Sequence, residues 1–373
     1  MAHSAGRRKL VATILLAFAG PVLLTSAAKP LSDPPKGYPR SYRAIMDAAR
    51  AEKTLVIYST TDRREAEGLI AAFERRYPFV RVDYRELSSA TLHNMVLADA
   101  RLKRPGADLL WSAAMDLQTK LVNDGYAQAY ASPEKPNLPA WAAWKNEAWG
   151  TTAEPIVFAY NRKLVPKADV PRTHADLTRL LRAKTGFYRG RIATFDPQRS
   201  SAGYLFLSQD LQVSRDTVPL MSALGRAKVG LYANSSDMLT RLGSGKLVFV
   251  YNMIGSYALE RQSHDPNIGV VMPSDYTLIM SRIAIIPDRA RHPNAAKLFL
   301  DFMLSRPGQA QLSSRYMTPV RTDVTARAGA RAPANIARSL RIGPALIANL
   351  DQMKRRRIMN QWSAAIGAPA TKK

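Results

Sequence analysis

Apolar and polar residues fall along this chain in a repeating order: a short apolar run, a loop of hydroxyl residues, then an amphipathic helix. Residues 55–58 are apolar and read as a buried strand that ends in Ser59, Thr60, Thr61 and Asp62. Ala66, Leu69, Ile70, Phe73 and Tyr77 then recur at helical spacing. Val80, Val82 and Tyr84 alternate with Arg81, Asp83 and Arg85, which predicts a second strand. It ends at residues 88–91, where a helix begins. Residues 108–111 predict a third strand, followed by Ser112 and a helix carrying Met115, Leu117, Leu121 and Val122. Strands that alternate with helices imply a parallel sheet with its loops along one edge. Ligands of open α/β sheets bind at that edge.

The pattern returns downstream. Residues 191–195 predict a strand, followed by Arg199, Ser200, Ser201 and Ala202 at the start of a helix. A further strand is expected over 247–251, ending at Asn252, with Ser256 and Tyr257 opening the next helix. Runs 154–160 and 277–286 are extended and are expected to carry the chain between two lobes. The Trp-rich stretch 138–149 is expected to pack at their junction. Beyond residue 321 the chain is rich in Arg and Ala, with four consecutive cations at 354–357, and reads as a solvated helical tail. The division is then a first lobe over 41–153, a second over 154–276, a return crossing with its helix over 277–320, and a basic tail over 321–373.

Composition narrows the function. The chain has 373 residues, 46% of them hydrophobic, enough for two cores. A net charge of +25 favours acidic partners. The cations are spread without an aromatic-interleaved strip, so a solvated basic surface is expected and nucleic acid is not. The absence of cysteine excludes thiol catalysis, cysteine metal sites and disulfides. Arg7, Arg8 and Lys9, an apolar stretch to Leu24 and the small residues Ser26, Ala27 and Ala28 have the order of a secretory signal. A signal peptide over 1–28 and a linker over 29–40 are expected, with the route, general or twin-arginine, left open.

Candidate site residues are the strand-end and helix-start groups: Ser59, Thr60, Thr61, Ser112, Arg199, Ser200, Ser201, Ala202, Asn252, Ser256, Tyr257 and Arg282. Hydroxyls and unpaired N–H groups at helix starts suit an anion; the same hydroxyls also suit plain helix capping. Arg282 lies on a crossing strand, where it either forks onto an anion or pairs with an acid across the hinge. Catalytic chemistry fares poorly. Gly243-Ser244-Gly245-Lys246 lacks the Ser or Thr and the first glycine of a phosphate loop, and no G-x-S-x-G elbow occurs. The five histidines form no ligand pair at local spacing, and no enzyme is expected.

Taken together, the segments 56–62, 106–112, 157–161, 200–204, 251–252, 292–305 and 318–321 resemble the periplasmic solute-binding proteins of ABC importers, in the group that includes ferric-ion binders. The resemblance implies the type II binding-protein fold: two α/β lobes joined by crossing strands, with a ligand cleft between them. Ferric binders of that group hold iron with two adjacent tyrosines. Here the matching position is Ser256-Tyr257, so one tyrosine is missing, and Tyr251 is the alternative partner for Tyr257. Relatives without the pair bind phosphonates, sugar acids of the phosphoglycerate type and other small anions. The resemblance therefore implies a monomeric periplasmic protein that captures a small organic anion for an inner-membrane ABC permease. It needs no cofactor. The alternatives are ferric iron as the transported ligand, or a sensor kinase as the partner.

Overall fold

The structure, a computed structural model, describes residue 1 and residues 33–367. The expected signal segment and the last six residues lie outside the described residues. In chain order the elements are α1 (Tyr42–Glu52), β1 (Thr54–Ser59), α2 (Arg63–Arg76), β2 (Arg81–Glu86), α3 (Ser89–Arg101), β3 (Leu109–Ser112) and α4 (Met115–Asn123). They continue with β4 (Ala143–Trp144), β5 (Ala148–Gly150), β6 (Glu154–Asn161), α5 (His174–Ala183), α6 (Thr185–Tyr188), β7 (Ile192–Phe195), α7 (Ser201–Val213) and α8 (Thr217–Arg226). Next come β8 (Gly230–Tyr232), α9 (Ser235–Gly243), β9 (Phe249–Ile254), α10 (Gly255–His264), β10 (Ile268–Val271), β11 (Thr277–Met280) and β12 (Ile283–Ile285). The chain closes with α11 (Pro293–Leu304), α12 (Arg306–Ser314), β13 (Ala337–Ser339), α13 (Pro344–Ile347) and α14 (Gln352–Ile366).

Two mixed sheets result. The first has the order β2-β1-β3-β12-β5-β4, and the second β13-β11-β6-β9-β7-β8, with β10 on β6. β1 pairs parallel with both β2 and β3, and β7 parallel with both β8 and β9, so their carboxyl ends lie along one edge of each sheet. The hydrophobic pattern explains the parallel cores: Leu109, Leu110 and Trp111 on β3 are all fully buried. Helices cover both faces of such strands, so no polar alternation survives.

The chain passes between the sheets at short, tightly bonded places. Residues 151–153 join β5 to β6, and residues 281–282 join β11 to β12. The two passages run side by side: Thr151 N–H donates to Arg282 O at 2.9 Å and Arg282 N–H to Thr152 Oγ1 at 2.9 Å. The second lies inside the expected crossing 277–286. The first corrects the expectation for 154–160: those residues belong wholly to β6, because Ile156, Val157 and Phe158 are buried in the second sheet. A third passage follows α12. Ala153 N–H donates to Thr318 O at 2.8 Å, and the chain beyond reaches β13 in the second sheet.

The tail is not solvated, which corrects that expectation. β13 pairs with β11, and α13 packs on α4. α14 lays Ile358, Met359 and Trp362 against Tyr204, Leu207 and Met221. The basic run 354–357 fills one turn, while the apolar residues after it recur at i, i+1 and i+4 and form a buried stripe.

Candidate functional site: the facing sheet edges

The first edge is built from hydroxyls that tie three loops together. Ser59 Oγ donates to Trp111 O at 2.8 Å and accepts from Thr61 N–H at 3.0 Å. Thr60 Oγ1 accepts from Ala113 N–H at 3.0 Å and donates to Ser112 Oγ at 3.2 Å. Ser112 Oγ in turn accepts from Ala114 N–H at 3.1 Å. Ser59, Thr61 and Ser112 are buried, and Thr60 is half-buried. These hydroxyls therefore fix the shape of the edge, leaving the half-buried Thr60 and the first turn of α2 as its outward parts. Arg63 N–H in that turn is taken by Glu86 at 2.8 Å.

On the second edge, Ser200 caps α7 through Gly203 N–H at 3.3 Å. Ser201 and Ala202, half-buried, form the first turn, whose N–H groups have no partner within the helix. Gly203 has no room for a side chain. A Cβ there would stand 2.9 Å from Asp196 O and from Phe195 Cβ, so α7 starts hard against the end of β7. Arg199 beside it is exposed and lacks a carboxylate partner among the described residues. α10 begins without a side-chain cap at Ile254.

Between the edges stands a buried polar knot. Arg282 Nε donates to Glu154 Oε1 at 2.8 Å, Nη2 to Glu154 Oε2 at 3.1 Å, and Nη1 to Thr61 Oγ1 at 2.8 Å. Ser256 Oγ donates to the same Glu154 carboxylate. The Tyr257 ring lies 5.3 Å from the guanidinium carbon of Arg282, a cation–π arrangement. Burial and the Glu86 charge push the Asp62 carboxyl above the ordinary range; Arg282 and a hydrogen bond with Tyr257 offset part of that rise. Burial likewise raises the Tyr257 phenol. Of the two expectations for Arg282, the structure places it in the ion pair, fully buried, rather than free to fork onto an anion. Glu154 went unnoticed as a functional group. Its signal was an acid opening an otherwise apolar strand.

The two residues of the alternative iron pair lie in different clusters. Tyr251 is buried and donates to Asp210 Oδ2 at 2.6 Å, and Tyr276 donates to Oδ1 at 2.9 Å. Tyr257 belongs to the Arg282 knot instead. The alternative Tyr251–Tyr257 iron pair therefore does not form: Tyr251, on β9, turns to Asp210, while Tyr257, in the first turn of α10, turns to Arg282 and Asp62. Asn252 faces the same carboxylate as Tyr251, donating at 2.6 Å, because it takes a left-handed φ of 58° at a bulge within β9; the strand runs on to Ile254, past the end expected for it at Asn252. Asp210 is the second group that was overlooked, being one acid within a helix. A recess of about 370 Å³ lies away from these edges, lined by Tyr38, Arg76, Glu134, Arg306 and Arg321.

Comparison with known proteins places the fold. Residues 68–338 match the family described as bacterial extracellular solute-binding protein. A substrate-binding protein of an ABC transporter from Agrobacterium tumefaciens is 34% identical. The match covers 84% of this chain and 94% of that one, with a TM-score of 0.79. Iron-bound HitA from Pseudomonas aeruginosa is 18% identical over 84% of this chain and 99% of its own, at a TM-score of 0.68. AfuA from Actinobacillus pleuropneumoniae, solved with fructose-6-phosphate, is 21% identical over 85% and 100%, at 0.67. The last two likenesses speak to the fold.

Proposed function

Starting from the fact that the chain belongs to the bacterial extracellular solute-binding proteins, a family that binds solutes rather than transforming them, we propose that it captures a small organic anion, phosphorylated, phosphonate or carboxylic, in the periplasm and delivers it to an ABC permease. One observation carries the anion: α2 and α10 begin on either side of Arg282, which bonds Thr61 just ahead of α2 and lies beside Ser256 and Tyr257 in the first turn of α10; α10 begins with no side-chain cap, and α7 begins at the end of β7, parallel beside β9. Helix starts favour negative charge, and each N–H replaces a water on the anion. Arg199 is the unpaired cation at the start of α7 and supplies charge; Arg282 is neutralised by Glu154 and supplies shape. The likeness to the Agrobacterium protein supports delivery to a permease. The sugar phosphate seen in AfuA supports the ligand class only as a precedent for this fold.

The reading excludes Tyr251 as a ligand. Its hydroxyl is spent on Asp210, and burial with that charge raises the phenol further, against the phenolate that ferric iron requires. Calorimetry against a panel of sugar phosphates, phosphonates and dicarboxylates is the test. Arg199→Ala should weaken the anion that binds by about tenfold or more, the scale of one charge-assisted hydrogen bond. Binding confined to neutral sugars or cationic amines would sink the proposal.

A further inference from the structure

One outer face of the second-sheet unit carries a composition that its own packing does not explain. α5 and α8 share a core through Leu177, Leu181, Leu220 and Leu224. α8 and α14 share another through Met221, Ile358, Met359 and Trp362. Gly225, near the end of α8, abuts Ala365, near the end of α14. With Met221 on the Ile358, Met359 and Trp362 stripe, the two helices run the same way, and Val218 stands level with the middle of α14, near Ile358. With those sides buried, helical spacing turns Arg182, Val218, Arg226, Met353, Arg356 and Arg357 to solvent.

Met353 is 69% exposed and Val218 40%. Among the described residues none of the four arginines pairs with a carboxylate. The nearby acids do not balance them: the Asp351 side chain accepts the Lys354 N–H as a cap, and Asp216 is one charge against four. Unpaired guanidiniums beside exposed apolar tips match a lipid headgroup layer, where cations meet phosphates and apolar tips enter the acyl boundary. An acidic protein surface would account for the arginines and leave Met353 and Val218 without a role.

We propose that the face formed by α5, α8 and α14 docks the protein on an anionic phospholipid bilayer, through these arginines and the tips of Met353 and Val218. The proposal does not depend on which solute the protein carries. The test is co-sedimentation of the protein with vesicles of phosphatidylcholine alone, and of phosphatidylcholine with phosphatidylglycerol, at low and high salt. Binding should need the anionic lipid and weaken with salt. Arg226→Glu, Arg356→Glu and Arg357→Glu together should lower partitioning by roughly a hundredfold. Met353→Ser with Val218→Ser should lower it less. Arg101→Glu with Lys103→Glu, on α3 and just beyond it, should leave it unchanged. If the triple variant melts early, Arg356→Glu alone gives the same comparison at roughly fivefold. Equal binding to both vesicles would overturn the proposal. So would no binding to the phosphatidylglycerol vesicles, an unchanged triple variant, or a control that loses as much as the triple variant.

Discussion

Arg282 and Glu154 form a two-pronged ion pair, 2.8 Å at one prong and 3.1 Å at the other, at the place where the chain leaves one sheet and enters the other. Both side chains are almost wholly removed from solvent. Removing one partner leaves the other charge buried and uncompensated, which costs about 3–5 kcal/mol. Arg282→Ala and Glu154→Ala should each show that loss in urea denaturation. Arg282→Met with Glu154→Leu should recover most of it. Arg282→Lys should fall between, since an ammonium cannot hold both carboxylate oxygens and Thr61 at once. A double variant as weak as the singles would mean that the pair is not the source of the loss.

Two buried carboxyls set a dependence on pH. Burial holds Asp301 up at about 7, even though Tyr42, Tyr130 and Ser132 all donate to it, and burial holds Asp116 at about 6. Both lie above their unfolded values, so the folded protein keeps protons that the unfolded chain releases. Their contribution to stability is full below about pH 4 and disappears as pH rises through about 6 and 7. Asp62, Glu65 and Asp210 are raised as well and push the same way. Melting temperature should therefore fall across that window. Asp301→Asn combined with Asp116→Asn should flatten the fall. A wild-type curve that rises over this range would contradict the assignment.

The C-terminal helix should prove structural. Trp362 is buried against Tyr204, Leu207 and Met221. Its replacement by Ala should cost about 3–5 kcal/mol. Met353→Ala, one turn into solvent, should cost nothing measurable in the same melts.

These contrasts show where the sequence was informative. The strand–hydroxyl–helix units were legible because each is local: an apolar run, a cap and a periodic helix within about thirty residues. The start of α7 at Ser200 and the pairing of β1 with its neighbours follow from that alone. Arg282 was legible as a hinge residue, but its partner was not, since Glu154 lies 128 residues earlier in the chain. The same distance problem hid the tail. Four consecutive cations dominate residues 354–357, and the apolar stripe after them gains meaning only beside Tyr204 and Met221. Tyr251 and Tyr257 looked like partners because they are close in sequence. The bulge at Asn252 and the start of α10 send them into different clusters.

Gly203 gives a test of edge geometry that spares every polar group. An Ala there must move the start of α7 away from Asp196 O, because the contact would be 2.9 Å against rigid backbone. Under the anion reading, affinity should fall by about tenfold or more. The Ser200 cap and the unpaired Arg199 would both be displaced. Ser200→Ala should instead cost about 0.5–2 kcal/mol of stability through the lost cap. Calorimetry and thermal melts on both variants separate the two effects. Unchanged affinity in Gly203→Ala would place the ligand elsewhere.

The three passages between the sheets also constrain how the halves can move. Residues 281–282, 151–153 and 318–319 lie next to one another, bonded in that order through Thr152, Arg282 and the Thr152–Pro319 bridge. Joined edge to edge, they behave as a flat strap rather than as three separate strings. A strap bends readily out of its plane and resists bending within it. The permitted motion is therefore a swing about one axis running across the strap, with tilting in its plane and sliding of one passage past another suppressed. The two edges should meet in the same register each time they close.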